Sequence, residues 1–213
     1  MESVNSIENK LQEYNLNNFF YFAHLKNFVS IIDNGILSKN CVEKRVIEHE
    51  SFAEPNVQLK RHEKSVVLSN NSLVSLHDLV PVYLTPRTPT LYSRQSIQKD
   101  IFFAVVNSRI ICNEKYVFAF TDGNAGSYNT IFFNDLKELS KIPWECINSH
   151  YWTDFIDGKR QRNAEFLIYP FITLDYISSF VVSNHDSFDY INKILHNNSI
   201  KNILVVVDFS YFF

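Results

Sequence analysis

The stretch Arg160-Gln161-Arg162-Asn163-Ala164-Glu165-Phe166-Leu167-Ile168-Tyr169 puts a single carboxylate at the mouth of an otherwise apolar segment. The residues after Ala164 read as a buried strand, and a charge in that setting costs free energy unless it is paired or used. Two readings follow. In one, Glu165 is the ion-pair partner of Arg160 or Arg162 at a strand end. In the other it does chemistry: an anion beside a sugar stabilises the positive charge that builds on the anomeric carbon as a glycosidic bond breaks. The same group can take a proton from an attacking acceptor as general base. These residues alone leave both readings open.

Other candidates have equally plain structural readings. His24 follows an apolar strand and precedes a helix, where a lone histidine is more often structural than a ligand. Tyr83 and Arg87 sit in Val-Pro-Val-Tyr-Leu-Thr-Pro-Arg-Thr-Pro, a strand ending in a turn stiffened by Pro81, Pro86 and Pro89; a rigid wall of this kind suits an aromatic ring that stacks on a ligand. Two basic strips, Lys60-Arg61-His62-Glu63-Lys64 and Lys159-Arg160-Gln161-Arg162, are solvated faces or ligand contacts. With four glycines, the chain has neither GxGxxG nor a P-loop, so any nucleotide is held another way. No two of the seven histidines are spaced like zinc ligands and there is no Gly-x-Ser-x-Gly elbow, so no metal is assigned.

These residues need elements to position them. Helical spacing through Ile7, Leu11 and Tyr14 predicts a helix over 6–14 capped near Asn5 or Ser6. A strand over 19–23 leads to a short helix over 27–33 stopped by Asn34-Gly35. Residues 40–73 read as an extended polar loop with a helical piece around 57–63. Segments 80–85, 101–106, 116–121, 165–169, 177–182 and 203–207 are β-branched or aromatic, with turns at Asp122-Gly123 and Asp157-Gly158. A last helix spans 187–196. Strands outnumber helices without βαβ alternation, which makes the class α+β. No repeat, low-complexity tract or linker divides the chain, so residues 1–213 are expected to form one domain.

Composition narrows the function classes. A share of 46% hydrophobic residues in a 213-residue chain supports a sizeable core. A net charge of −3 counts against an extensive grip on duplex phosphates but leaves room for a short single-stranded contact. The odd set Cys41, Cys112 and Cys146 lacks any CxxC and reads as reduced thiols. The polar N-terminus is unlike a secretory signal, and no apolar run reaches the roughly 18 residues of a membrane span. A cytoplasmic monomer with no membrane association is expected.

Five blocks in order carry a resemblance: Phe22-Ala23-His24-Leu25-Lys26-Asn27, Asn34-Gly35-Ile36-Leu37-Ser38, Leu76 to Pro89, Phe118-Ala119-Phe120-Thr121-Asp122-Gly123-Asn124-Ala125, and the block ending in Glu165. From about Phe20 to the aromatic C-terminus the chain resembles the DarT-type DNA ADP-ribosyltransferases, toxins of bacterial toxin–antitoxin pairs. Residues 1–18 form a helical extension outside it. The resemblance implies an ADP-ribosyltransferase fold of two small packed β-sheets with flanking helices, and a central cleft for NAD as co-substrate.

It further implies that Glu165 is the catalytic glutamate, joined by Arg61 in the loop over NAD, where a guanidinium can hold pyrophosphate. His24 and Asn27 would face nicotinamide and its ribose; Ala23 replaces the family's usual threonine. Gly35, Leu37 and Ser38 would lie near the dinucleotide, with Tyr83 and Arg87 in the nicotinamide pocket. Asn124 stands where the family commonly has histidine, and an amide can orient a base edge but not carry a proton. The expected activity is transfer of ADP-ribose to a base of single-stranded DNA, thymine favoured and guanine possible, because a stacked duplex base is out of reach. Tyr92, Arg94, Asn124, Lys159, Arg160 and Arg162 would contact DNA. The family's partner is a DarG-like antitoxin that removes ADP-ribose. The rival readings are ADP-ribosylation of RNA or protein, NAD hydrolysis, and a silent nucleic-acid-binding domain.

Overall fold

The computed structural model describes residues 4–52 and 55–213. Its twelve strands are β1 (Asn18–His24), β2 (Ile36–Leu37), β3 (Ser65–Val67), β4 (Leu73–Ser75), β5 (Val80–Tyr83), β6 (Ile101–Asn107), β7 (Val117–Thr121), β8 (Phe132–Phe133), β9 (Glu165–Tyr169), β10 (Phe171–Ile172), β11 (Ile177–Val182) and β12 (Leu204–Val207). Eight α-helices accompany them: α1 (Val4–Glu13), α2 (Phe28–Asn34), α3 (Lys39–Lys44), α4 (Pro55–His62), α5 (Pro89–Tyr92), α6 (Trp144–Asn148), α7 (Gly158–Gln161) and α8 (His185–Asn197). The class is α+β, as the strand-rich, non-alternating pattern implies.

Eight strands form one sheet in the order β12-β11-β6-β1-β5-β9-β7-β8. Its two halves are very unequally joined. β1 pairs with β6 along its whole length, from Asn18 opposite Asn107 to His24 opposite Ile101. It meets β5 at one position, Phe20 opposite Tyr83. Four strands on one side and four on the other therefore share a single rung, which is how the two small sheets of the expected fold are realised here.

Period-two alternation buries both faces. In β6, Phe102, Ala104 and Val106 join the largest apolar cluster with Phe28 of α2 and Ile191 and Leu195 of α8. The intervening Ile101, Phe103 and Val105 pack on the other face with Leu91 and Phe212. β9 follows the same rule: Phe166 and Ile168 face the main cluster, while Leu167 turns to Ala119, Leu76 and Leu79. Phe166 stacks on Phe19 at 4.5 Å across the junction, so aromatic packing supplies what the single rung lacks.

The expected polar loop over residues 40–73 is more structured than its composition indicates. Besides α4 it carries α3 and the β3–β4 hairpin, in which Ser65, Val66 and Val67 pair with Ser75, Val74 and Leu73. Val66 and Leu68 are buried against Leu76, Leu79 and Ala119, and Asn71, at φ 64°, makes the turn. Three-residue strands are too short for alternation to stand out from the polar background.

Gly35 closes α2 at φ 76° and ψ −174°, a conformation open to glycine almost alone. A Cβ there would lie 2.4 Å from the Ile172 carbonyl oxygen of β10, the partner of β2. Gly35→Ala is expected to lower stability by roughly 2–4 kcal/mol, combining backbone strain with the clash, as measured by urea denaturation. A loss under roughly 1 kcal/mol would show that β2 and β10 shift apart freely.

Candidate active site

Glu165 opens β9 opposite Tyr83 of β5, one strand from the single rung. It is 1% exposed. Its countercharge comes from 104 residues upstream: Arg61 Nη1 donates to Oε1 at 3.1 Å and Oε2 at 3.0 Å, and Arg61 is itself 8% exposed. The Ala125 backbone N–H donates a further bond to Oε1 at 3.0 Å. A guanidinium and a backbone amide thus supply hydrogen-bond donors to both carboxylate oxygens.

The segment Thr121–Thr130 is folded to deliver that amide. Thr121 Oγ1 accepts from the Glu165 backbone N–H at 3.0 Å and donates to the Gly123 carbonyl at 2.6 Å. Asn124 N–H donates to the Arg160 carbonyl, and Thr130 Oγ1 donates to the Asn124 carbonyl at 2.6 Å. Lys64 Nζ reaches across to the Ala125 and Ser127 carbonyls at 2.8 and 2.5 Å. Partial burial, then the nearby Arg61, lowers the Lys64 pKa.

Around Glu165 lies a cavity of about 630 Å³, within the range of small-molecule sites. It is lined by Tyr21, Phe22 and Ala23 of β1 and Pro81 and Tyr83 of β5, and so sits over the place where the half-sheets meet. Tyr83 stacks on Phe22 at 5.6 Å and 14°. Burial, then the Glu165 carboxylate, holds its phenol far above the usual tyrosine range. Burial pushes Tyr21 up to about 12. Both are neutral hydroxyls at any physiological pH.

Of the residues singled out in the sequence, Asn27, Leu37, Arg61, Tyr83, Arg94, Asn124, Lys159 and Glu165 line this cavity. Asn27 does so while bracing a neighbour: its amide donates to the Glu50 carbonyl and accepts from the Glu50 N–H, both at 2.8 Å. His24, Ser38, Arg87, Tyr92, Arg160 and Arg162 lie outside the lining. His24 Nδ1 accepts from the Lys26 N–H at 3.1 Å, capping a short turn. Ser38 Oγ caps α3 by accepting from the Cys41 N–H. Arg87 stacks its guanidinium on Phe213 at 4.4 Å, and Tyr92 packs edge-on against Trp152 and Phe213.

Three arginines have partners that their place in the sequence did not indicate. Arg160 and Arg162, the sequence-adjacent partners considered for Glu165 and for DNA phosphates, are committed elsewhere. Arg160 bonds both oxygens of Asp122 at 2.8 and 3.2 Å and also bonds Asp157. A Cβ on Gly123 would lie 2.4 Å from its Nη1, so a larger residue there would make the Arg160 side chain move. Arg162 is buried and donates to the carbonyls of Arg87, Cys146 and Ser149. Arg61, read as a pyrophosphate clamp, is bound here to the Glu165 carboxylate.

A family model described as "ssDNA thymidine ADP-ribosyltransferase, DarT" matches residues 20–213. The chain belongs to the DarT family. It is 31% identical over 200 residues to a DNA ADP-ribosyl transferase–DNA ADP-ribosyl glycohydrolase fusion protein of Thermosipho africanus, covering 91% of this chain and about half (49%) of that protein. To the DNA ADP-ribosyl transferase of Thermus sp. it is 28% identical over 184 residues, or 83% of this chain and 86% of the relative. The solved structure of Thermus sp. 2.9 DarT in complex with ADP-ribosylated ssDNA superposes with a TM-score of 0.82 at 25% identity, over 92% of this chain and 96% of that one. The ADP-ribosyltransferase architecture expected from the motifs is therefore the fold of this DarT-family chain.

Asn163, the Ala125 amide and the bonds from Lys64 to the Ala125 and Ser127 carbonyls escaped the sequence reading. Asn163 lines the cavity, accepts from the Thr90 N–H and hydroxyl, and donates to the Lys159 carbonyl. Its signal was position: an amide two residues before a buried carboxylate. Removing one member of the buried pair should cost most: Arg61→Met is expected to destabilise by roughly 3–5 kcal/mol, and Arg61→Met with Glu165→Gln by clearly less, in a urea-denaturation cycle. Additive losses would mean the two side chains do not interact.

Proposed function

We propose that this chain cleaves NAD and transfers ADP-ribose to a base of single-stranded DNA, thymine favoured, releasing nicotinamide. The observation that carries the reading is Glu165, hydrogen-bonded by Arg61 and the Ala125 N–H in the wall of a cavity of about 630 Å³. The residues fit such a dinucleotide: a stacked aromatic wall of Tyr83 and Phe22 suits a planar leaving group, and Asn27 and Arg61 add polar groups on the same surface.

NAD supplies an activated glycosidic bond whose electron pair leaves with nicotinamide. Glu165 stabilises the positive charge that develops on the anomeric carbon. As the lone pair of a ring nitrogen on the base forms the new bond to that carbon, Glu165 takes the proton displaced from the base. Arg61 keeps the carboxylate in place beforehand by donating to both of its oxygens. Asn124, whose Oδ1 already accepts from the Gly126 N–H at 2.8 Å, has its amide NH2 left to orient a base edge. Arg94 and Lys159 of the cavity lining, with the exposed Tyr92 outside it, are the DNA contacts of this reading, through phosphate charge and stacking.

A glycohydrolase-type antitoxin is the proposed partner. In its support, the Thermosipho relative couples a transferase and a DNA ADP-ribosyl glycohydrolase in one fusion protein. Among the described residues no helix is long and apolar enough to cross a membrane, and no group of three His, Cys, Asp or Glu side chains is arranged to hold a metal ion.

With adenylate-labelled NAD, label is expected on a mixed-sequence single-stranded oligonucleotide and not on its duplex, read by mass spectrometry with fragmentation to name the base. Glu165→Ala should reduce the rate by about 10²–10⁴-fold. Intact NAD and unmodified DNA with folded wild-type protein would overturn the assignment.

A further inference from the structure

One buried polar side chain in the cavity wall has no part in the pairings above. His77 lies in the turn between β4 and β5, is 4% exposed and lines the cavity. Neither of its ring nitrogens has a hydrogen-bond partner among the described residues. Leaving a buried donor and a buried acceptor unmatched is destabilising, so a fold that keeps both has a use for them.

The turn is built to hold this ring still. Ser75 Oγ accepts from the His77 N–H, and Asp78 Oδ2 accepts from the Ser75 N–H at 3.1 Å, a reciprocal cap. Asp78 Oδ1 accepts in addition from Asn40 Nδ2 of α3 at 2.7 Å. The ring itself stands 5.7 Å from that of His62. Burial first, then Lys39, Arg61 and His62, lowers the His77 pKa, with Glu43 opposing. A neutral imidazole carries one donor and one acceptor.

A ligand group that both accepts and donates is the match, and on a dinucleotide the sugar hydroxyls have that character. Location selects among them: α4 carries Arg61, whose guanidinium is on Glu165, and the anomeric carbon must come to that carboxylate. Resting on the NAD-dependent transfer proposed above, we infer that His77 binds NAD through a hydroxyl of the ribose attached to nicotinamide. His77 is a binding residue here, distinct from the Glu165–Arg61 pair.

The test compares wild type, His77→Leu and His77→Gln by calorimetric titration with ADP-ribose and with ADP, which lacks the second sugar, alongside thermal melts. His77→Leu is expected to melt at or above wild type, because it removes two unmatched polar atoms, yet to bind ADP-ribose about ten- to a hundredfold more weakly. ADP should bind all three proteins alike, and His77→Gln, which keeps a donor and an acceptor, should recover most of the ADP-ribose affinity. Equal ADP-ribose affinity in wild type and His77→Leu overturns the assignment; a parallel loss of ADP affinity also overturns it, by placing the ring on the adenylate half. Failure of wild type to bind ADP-ribose or NAD would instead bring down the transfer reading, and this inference with it.

Discussion

A buried carboxylate cannot stand alone, and the pairing of Glu165 with Arg61 is the constraint to which the surrounding structure answers. Taking both charges out of water costs several kcal/mol per ion, recovered only with close geometry and extra hydrogen bonds. The extra bond is the Ala125 N–H. To supply it, the segment after β7 is bound by Thr121 to β9, by Lys64 from beyond α4, and by Arg160 through Asp122. Three distant pieces of chain are thus fixed relative to one another by the needs of a single carboxylate.

The sheet explains why the carboxylate sits where a ligand can reach it. Two four-stranded halves share one rung, Phe20 with Tyr83, and the cavity occupies the place where a fuller ladder would have drawn them together. Tyr83 is both the rung and part of the cavity wall, so the register of the sheet and the position of an aromatic ring at the site are the same fact. Phe19 and Phe166 behind it keep the junction closed by stacking.

Much of this was legible in the sequence. Six of the strands stand out by β-branched and aromatic content, and β9 and β11 match the expected bounds residue for residue. The glycine after α2 announced a helix end, and the lone acidic residue before Phe166 announced a charge needing an explanation. The explanation itself was not local. Arg160 and Arg162 lay nearest along the chain, yet the helical turn of α7 turns one toward Asp122 and the other into backbone carbonyls, and the countercharge arrives from α4. The β3–β4 hairpin and the bracing of Glu50 by Asn27 were hidden for the same reason, since strands of three residues and side-chain-to-backbone bonds leave no periodic trace. Motif order, rather than periodicity, located Arg61.

The separation of 104 residues between the two charged partners bears on how the molecule is made. During synthesis α4 emerges first, then the Thr121–Thr130 segment, and the carboxylate only with β9; domains acquire their long-range contacts once the distant strands exist. A nascent or prematurely ended chain lacking β9 therefore has the cation, the amide and most of the wall but no anion between them. The ion pair is completed only when the strand that carries Glu165 takes its place between β5 and β7.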